Sequence, residues 1–62
     1  MTYRVTETTD RKNLGMVLDA VALRDTLTLR SGATFRVEHI AFDGDTLTLS
    51  NPNYIIIAVK EY

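Results

Sequence analysis

Between Asp25 and Leu49 the chain writes the same five residues twice, Asp-Thr-Leu-Thr-Leu at 25–29 and again at 45–49. Each copy alternates apolar with polar, the period of two that marks a strand with one buried face, so Leu27, Leu29, Leu47 and Leu49 point inward while the threonines face out. Between the copies runs the longer apolar segment Thr34 to Phe42. Ser31-Gly32 precedes it and Asp43-Gly44-Asp45 follows it, residues that supply the positive φ tight hairpins need. Strands joined by short turns in this way make an antiparallel β-meander, and the fold class that follows is all-β.

Two places interrupt the simple pattern. Within Thr34 to Phe42, Phe35 and Val37 share one face but Ile40 and Phe42 share the other, so the phase slips at Glu38-His39. A β-bulge there returns both pairs to the core and bends the strand, the device by which small sheets curl into barrels. Residues 14–23 are open to two readings. Leu14, Val17, Leu18 and Val21 fall at i, i+3, i+4 and i+7, the spacing of one helical face, with Asp10 or Asn13 as an N-cap. Against a short helix stands a second match: Val17 to Leu23 followed by the first DTLTL parallels Arg36 to Phe42 followed by the second. The segment is therefore read as a strand. Two such units fit either internal duplication or one packing solution used twice, and they are too few for a solenoid.

The flanks complete the set. Tyr3-Arg4-Val5-Thr6 alternates and is read as an edge strand over 2–8, followed by a polar connection at Thr8 to Asn13. Asn51-Pro52-Asn53 is a turn that ends the preceding strand. Tyr54 to Val59 is then apolar on both faces, which a strand covered on one side only should not be. Either it is a central strand, or one whose second face is covered by the 14–23 segment, or one face meets another subunit or a partner. The two candidate faces are Tyr54, Ile56, Ala58 and Tyr62, taken here as the candidate protein interface, and Ile55, Ile57 and Val59. The expected strands are thus 2–8, 14–23, 25–30, 34–42, 45–50 and 54–61. The expected core is Val5, Val17, Val21, Leu27, Leu29, Phe35, Val37, Ile40, Phe42, Leu47, Leu49, Ile55 and Ile57.

Length now matters. Sixty-two residues make a single domain over 1–62, and at this size folding buries only roughly 60% of the surface the unfolded chain exposes. Cysteine is absent, so neither a disulfide framework nor a zinc-thiolate site supplements the thin core. Small domains without such staples gain stability by associating. The longest apolar run, Tyr54 to Val59, is too short to span a bilayer, and the N-terminus has no apolar run of signal-peptide length. The expected setting is cytoplasmic, or a virion, with no membrane partner.

Chemistry is mostly excluded. Asp43 and Asp45 flank Gly44 in a hairpin turn, where aspartates serve the turn itself rather than a catalytic pair or a calcium loop. His39 is the single histidine and lacks the partners that a metal or nucleophilic site needs. No nucleophile motif and no glycine-rich phosphate loop occur. The expectation is therefore no enzyme, no metal and no cofactor.

The strand order and short hairpins resemble the small barrels of the SH3-like kind, in which five to six strands curl around one core. That resemblance spans the whole chain as pattern, and it implies a binding or assembly role without choosing among them. The first expectation is a structural or protein-binding module that self-associates as a homo-oligomer or docks on a larger assembly. Chain size suits a bacteriophage virion component or a small phage-encoded inhibitor of a host protein. The alternative is an RNA or single-stranded DNA binder, with Arg30, Arg36 and Lys60 on phosphates and Tyr3, Tyr54 or Phe35 stacking on bases. A net charge of -1, without a basic stripe, weighs against it. A third reading is capture of a small ligand at a subunit interface.

Overall fold

The computed structural model describes residues 2–19 and 25–62. Seven strands are seen among them: β1 Thr2–Thr8, β2 Val17–Asp19, β3 Thr26–Thr28, β4 Thr34–Arg36, β5 His39–Asp43, β6 Thr46–Asn51 and β7 Tyr54–Glu61. They form two antiparallel sheets, one of five strands in the order β2-β1-β7-β6-β5 and one of two, β3-β4. The all-β expectation holds. The plain meander does not, because the first strand pairs with the last, Val5 opposite Ala58, as well as with β2.

Two short loops set the register of the larger sheet. Gly44-Asp45 joins β5 to β6 with Asp43 opposite Thr46. Gly44 has φ +59 and no other residue of that loop has positive φ, the type II′ pattern that matches strand twist. Pro52-Asn53 joins β6 to β7 with Asn51 opposite Tyr54, and the Asn51 side chain accepts from the Asn53 amide at 2.9 Å. That second loop places Leu47 opposite Ala58 and Leu49 opposite Ile56. Since the DTLTL leucines face inward, Ile56 and Ala58 must do so too, and all four are fully buried.

Tyr3, Val5 and Leu18 extend this inner face across β1 and β2. The β3-β4 hairpin covers it with Leu29 and Phe35, while Leu27 and Val37 pack at the margin. Phe35 meets Tyr54 in a tilted ring contact, centroids 5.2 Å apart.

Several expectations are corrected. The segment read as one strand over 34–42 is two strands in two sheets. At the handover the Val37 amide donates to the Asp25 carbonyl at 2.8 Å, and the next amide, Glu38, donates to Ser50 of β6 at 3.0 Å. The slip at Glu38-His39 is thus real, but it is a change of sheet rather than a bulge. A bulge is found instead in β1, between Val5 and Glu7. Of the segment 14–23, only Val17–Asp19 is a strand among the described residues. A 3-10 helix, Arg11–Asn13, capped by the Asp10 carboxylate accepting from the Lys12 amide, precedes it.

Pairing of Leu18 with Tyr3 turns Leu18 inward and Val17 outward. Val21 lies outside the described residues. Ile55 is outward-facing and exposed and Ile57 half-buried, because the Pro52-Asn53 loop fixes the opposite phase. Ile40 and Phe42 lie opposite Leu49 and Leu47, on the inner side as expected, yet they are 49% and 58% exposed because β5 is at the sheet's edge.

The two faces of β7 should therefore differ sharply under truncation. Ile56→Ala is expected to cost about 2–5 kcal/mol, most of what a core this small supplies, whereas Ile55→Ala should cost under about 1 kcal/mol. Urea unfolding of both variants reads the difference; equal losses would contradict the assigned phase.

Candidate functional site

The larger sheet has a second face, and its centre is apolar. Ile55, Ile57 and Val59 alternate along β7 with the buried Ile56 and Ala58, and Ile55 and Val59 are 41% and 39% exposed. On the β6 side they face Ser50, Thr48 and Thr46 in turn. On the β1 side Ile57 faces Glu7 and Val59 faces Arg4, beyond which Val17 adds another exposed apolar side chain. The DTLTL threonines thus become a hydroxyl border to an isoleucine-valine stripe. Single exposed apolar residues are ordinary; here three lie in a row along one central strand.

Arg4 is held on this face. Its Nε and Nη2 donate to the two carboxylate oxygens of Glu61, at 2.5 and 3.1 Å, and Nη1 donates to the Gly15 carbonyl at 3.0 Å. This bidentate clamp ties the Thr2-Glu61 end of the β1-β7 ladder to the turn before β2. The hydrogen bond from Arg4 is the main cause that lowers the Glu61 carboxyl below its ordinary range, and the same bond raises Arg4 further.

The candidate interface Tyr54, Ile56, Ala58 and Tyr62 is not brought together as a surface. Ile56 and Ala58 are fully buried by the chain's own hairpin. Tyr54 is half-buried, and its hydroxyl accepts from the Asp10 amide at 3.1 Å and from Asn13 Nδ2 at 2.6 Å. Asn13, buried, also accepts from the Arg30 amide at 3.3 Å through Oδ1. These bonds form a polar knot that pins the 3-10 helix and the β3-β4 turn to the start of β7. Tyr62 is 92% exposed; its hydroxyl donates to Asp45 at 2.7 Å, and the Lys60 ammonium lies 4.9 Å from its ring centroid. That hydrogen bond raises the Tyr62 phenol above its ordinary value.

The nucleic-acid candidates are spread along the molecule. Arg30 sits in the hairpin turn beside Asn13, and Arg36 is tied by its carbonyl to Asn51 at 2.9 Å, both near the start of β7. Lys60 is six residues further along that strand, about 20 Å away at the rise of an extended chain. Of the stacking candidates, Tyr3 and Phe35 are core residues. His39 is exposed on β5, opposite Ser50.

Among the described residues no group of three or more His, Cys, Asp or Glu side chains is placed to hold a metal ion, and no helix is long and apolar enough to cross a membrane. Compared with protein-family models, curated proteins and solved structures, the chain matches none.

The sequence offers two faces of β7, and the one expected as the interface is the one that Ile56 and Ala58 turn into the core. The deciding signal was present in the two-residue Pro52-Asn53 loop, which converts inward Leu47 and Leu49 into inward Ala58 and Ile56.

Two outcomes follow. Asn13→Ala leaves the Tyr54 hydroxyl without its shortest partner and is expected to lower stability by about 1–3 kcal/mol, read by thermal and urea unfolding. A depressed folded-state pKa at Glu61 contributes stability above the unfolded carboxyl value, lost as pH falls through the lower folded value. Glu61→Gln should accordingly flatten the acid limb of the stability profile below about pH 4; an unchanged limb would contradict the role given to the clamp.

Proposed function

We propose that this protein is a non-enzymatic structural or protein-binding module that acts by self-association. Its contact surface in this reading is the open sheet face carrying Ile55, Ile57 and Val59. The observation that carries it is the division of β7. Of its apolar residues, Ile56 and Ala58 are fully buried in the chain's own core, while Ile55, Ile57 and Val59, which alternate with them, lie on the opposite face, Ile55 and Val59 exposed and Ile57 half-buried. The stripe is bordered by hydroxyls along β6, and the flanking Arg4 is neutralised by Glu61. Arg4 and Glu61 offset one another, and the Glu7 carboxylate beside Ile57 is the charge that an approaching copy must avoid.

The curl of the two sheets is read as a small SH3-like barrel. Its support is the pairing order: β1 joins the last strand, and β4 runs into β5 through Val37 and Glu38 alone. A subunit of this size and shape suits a larger particle such as a virion.

The test is solution mass by light scattering, at two protein concentrations, for the wild type and Ile57→Lys. The reading expects a wild-type mass above one chain that falls in Ile57→Lys, with the variant's fold retained by circular dichroism. A mass indifferent to both Ile57→Lys and Val59→Lys would contradict use of this face between copies, and docking of the face on a different protein would then be the reading to pursue.

A further inference from the structure

The outer strand β5 presents a self-complementary edge. Among the described residues it pairs with β6 alone, and all five of its residues, His39-Ile40-Ala41-Phe42-Asp43, are exposed. The two-residue loop after Asp43 makes Asp43 and Thr46 a hydrogen-bonded pair. By the alternation of an antiparallel ladder, His39, Ala41 and Asp43 then direct their backbone groups to β6, and Ile40 and Phe42 direct theirs to the open edge. Exposed amides on a strand with apolar side chains are a template for adding another strand.

We infer that β5 pairs antiparallel with β5 of a second copy of this chain, about a two-fold axis at Ala41. The inference rests on the self-association reading above and adds a second contact to it. Three features converge on this register. The edgeward residues meet as hydrogen-bonded pairs, Ile40 with Phe42 of the other copy and the reverse, which satisfies their free N–H and C=O groups. The two alanines fall at the axis as a non-hydrogen-bonded pair, where side chains come closest and small ones fit. His39 falls opposite Asp43 of the other copy at both ends, placing a donor or cation against a carboxylate.

A two-fold axis through the sheet keeps faces together, so Ile40 and Phe42 join their counterparts on the inner side. There the exposed Phe42 already borders Tyr3, ring centroids 6.1 Å apart. The result is one continuous sheet of ten strands. The contact is isologous and consumes both β5 edges, so it closes rather than propagating.

Charge variants at the ends of β5 test this without disturbing the core. His39→Asp sets like charges opposite each other twice per dimer and is expected to weaken dimerisation about tenfold. His39→Asp combined with Asp43→Lys restores opposite charges in the same register and should recover the wild-type dissociation constant. His39→Lys alone should tighten it. Ile40→Pro removes an edgeward donor, leaves the β6 ladder its own bonds, and should abolish the contact.

Mass by light scattering over a dilution series reads all four, with Ile57→Lys run alongside. If the edge variants act and Ile57→Lys does not, the edge pairing stands and the open-face reading fails. If only Ile57→Lys acts, or if the double variant is as weak as His39→Asp, the edge pairing is overturned. A monomer at every concentration overturns both.

Discussion

Four side chains at the centre of the larger sheet, Leu47 and Leu49 from β6 and Ala58 and Ile56 from β7, face each other with no exposed surface. They are neighbours because a two-residue loop fixes the register of the strands that carry them. With this square in place, one face of the sheet must be covered, and among the described residues the β3-β4 hairpin bearing Leu29 and Phe35 covers it. The handover at Val37 and Glu38 lets a continuous stretch of chain serve both layers. It leaves the first sheet with one amide and enters the second with the next.

Polar interactions then tie the loose ends to that centre. The bonds among Asp10, Asn13, Tyr54 and Arg30 hold the 3-10 helix and the hairpin turn against the start of β7, and the Arg4 clamp on Glu61 and Gly15 holds the other end. Buried polar groups that find partners fix a geometry because leaving them unpaired is costly. The centre of the inner face is thereby committed within the chain, while Ile40 and Phe42 at its β5 margin stay exposed. Among the described residues, the outer stripe on β7 and the edge of β5 stay exposed, surfaces with different chemistry and different geometry.

Much of the architecture was legible in the alternation of short strands. The strand over 2–8 and both DTLTL leucine pairs follow from a period of two, the strand over 54–61 follows from its continuous apolar run, and the turns follow from Gly44 and Pro52. Burial at the edges was not legible. Ile40 and Phe42 have the right phase for the core, but whether a correctly oriented residue is covered depends on how far the hairpin reaches, which no local pattern encodes. The face of β7 was ambiguous because residues 55–59 are apolar throughout; only propagation of register through the Asn51-Tyr54 pair resolves it. Asn13 and Tyr54 were invisible as partners because forty-one positions separate them. The same is true of the Arg4-Glu61 clamp, whose members sit near opposite ends of the chain.

The claim that a second copy of this chain is the partner is tested most directly by amide hydrogen exchange along β5 at low and high protein concentration. Ala41 and Asp43 donate to β6 within one chain and should be protected at both. Ile40 and Phe42 point to the open edge, so their amides should exchange fast in dilute solution and slow markedly when the protein is concentrated. Fast exchange of Ile40 and Phe42 at every concentration, with Ala41 still protected, would show a strand edge that no second copy meets.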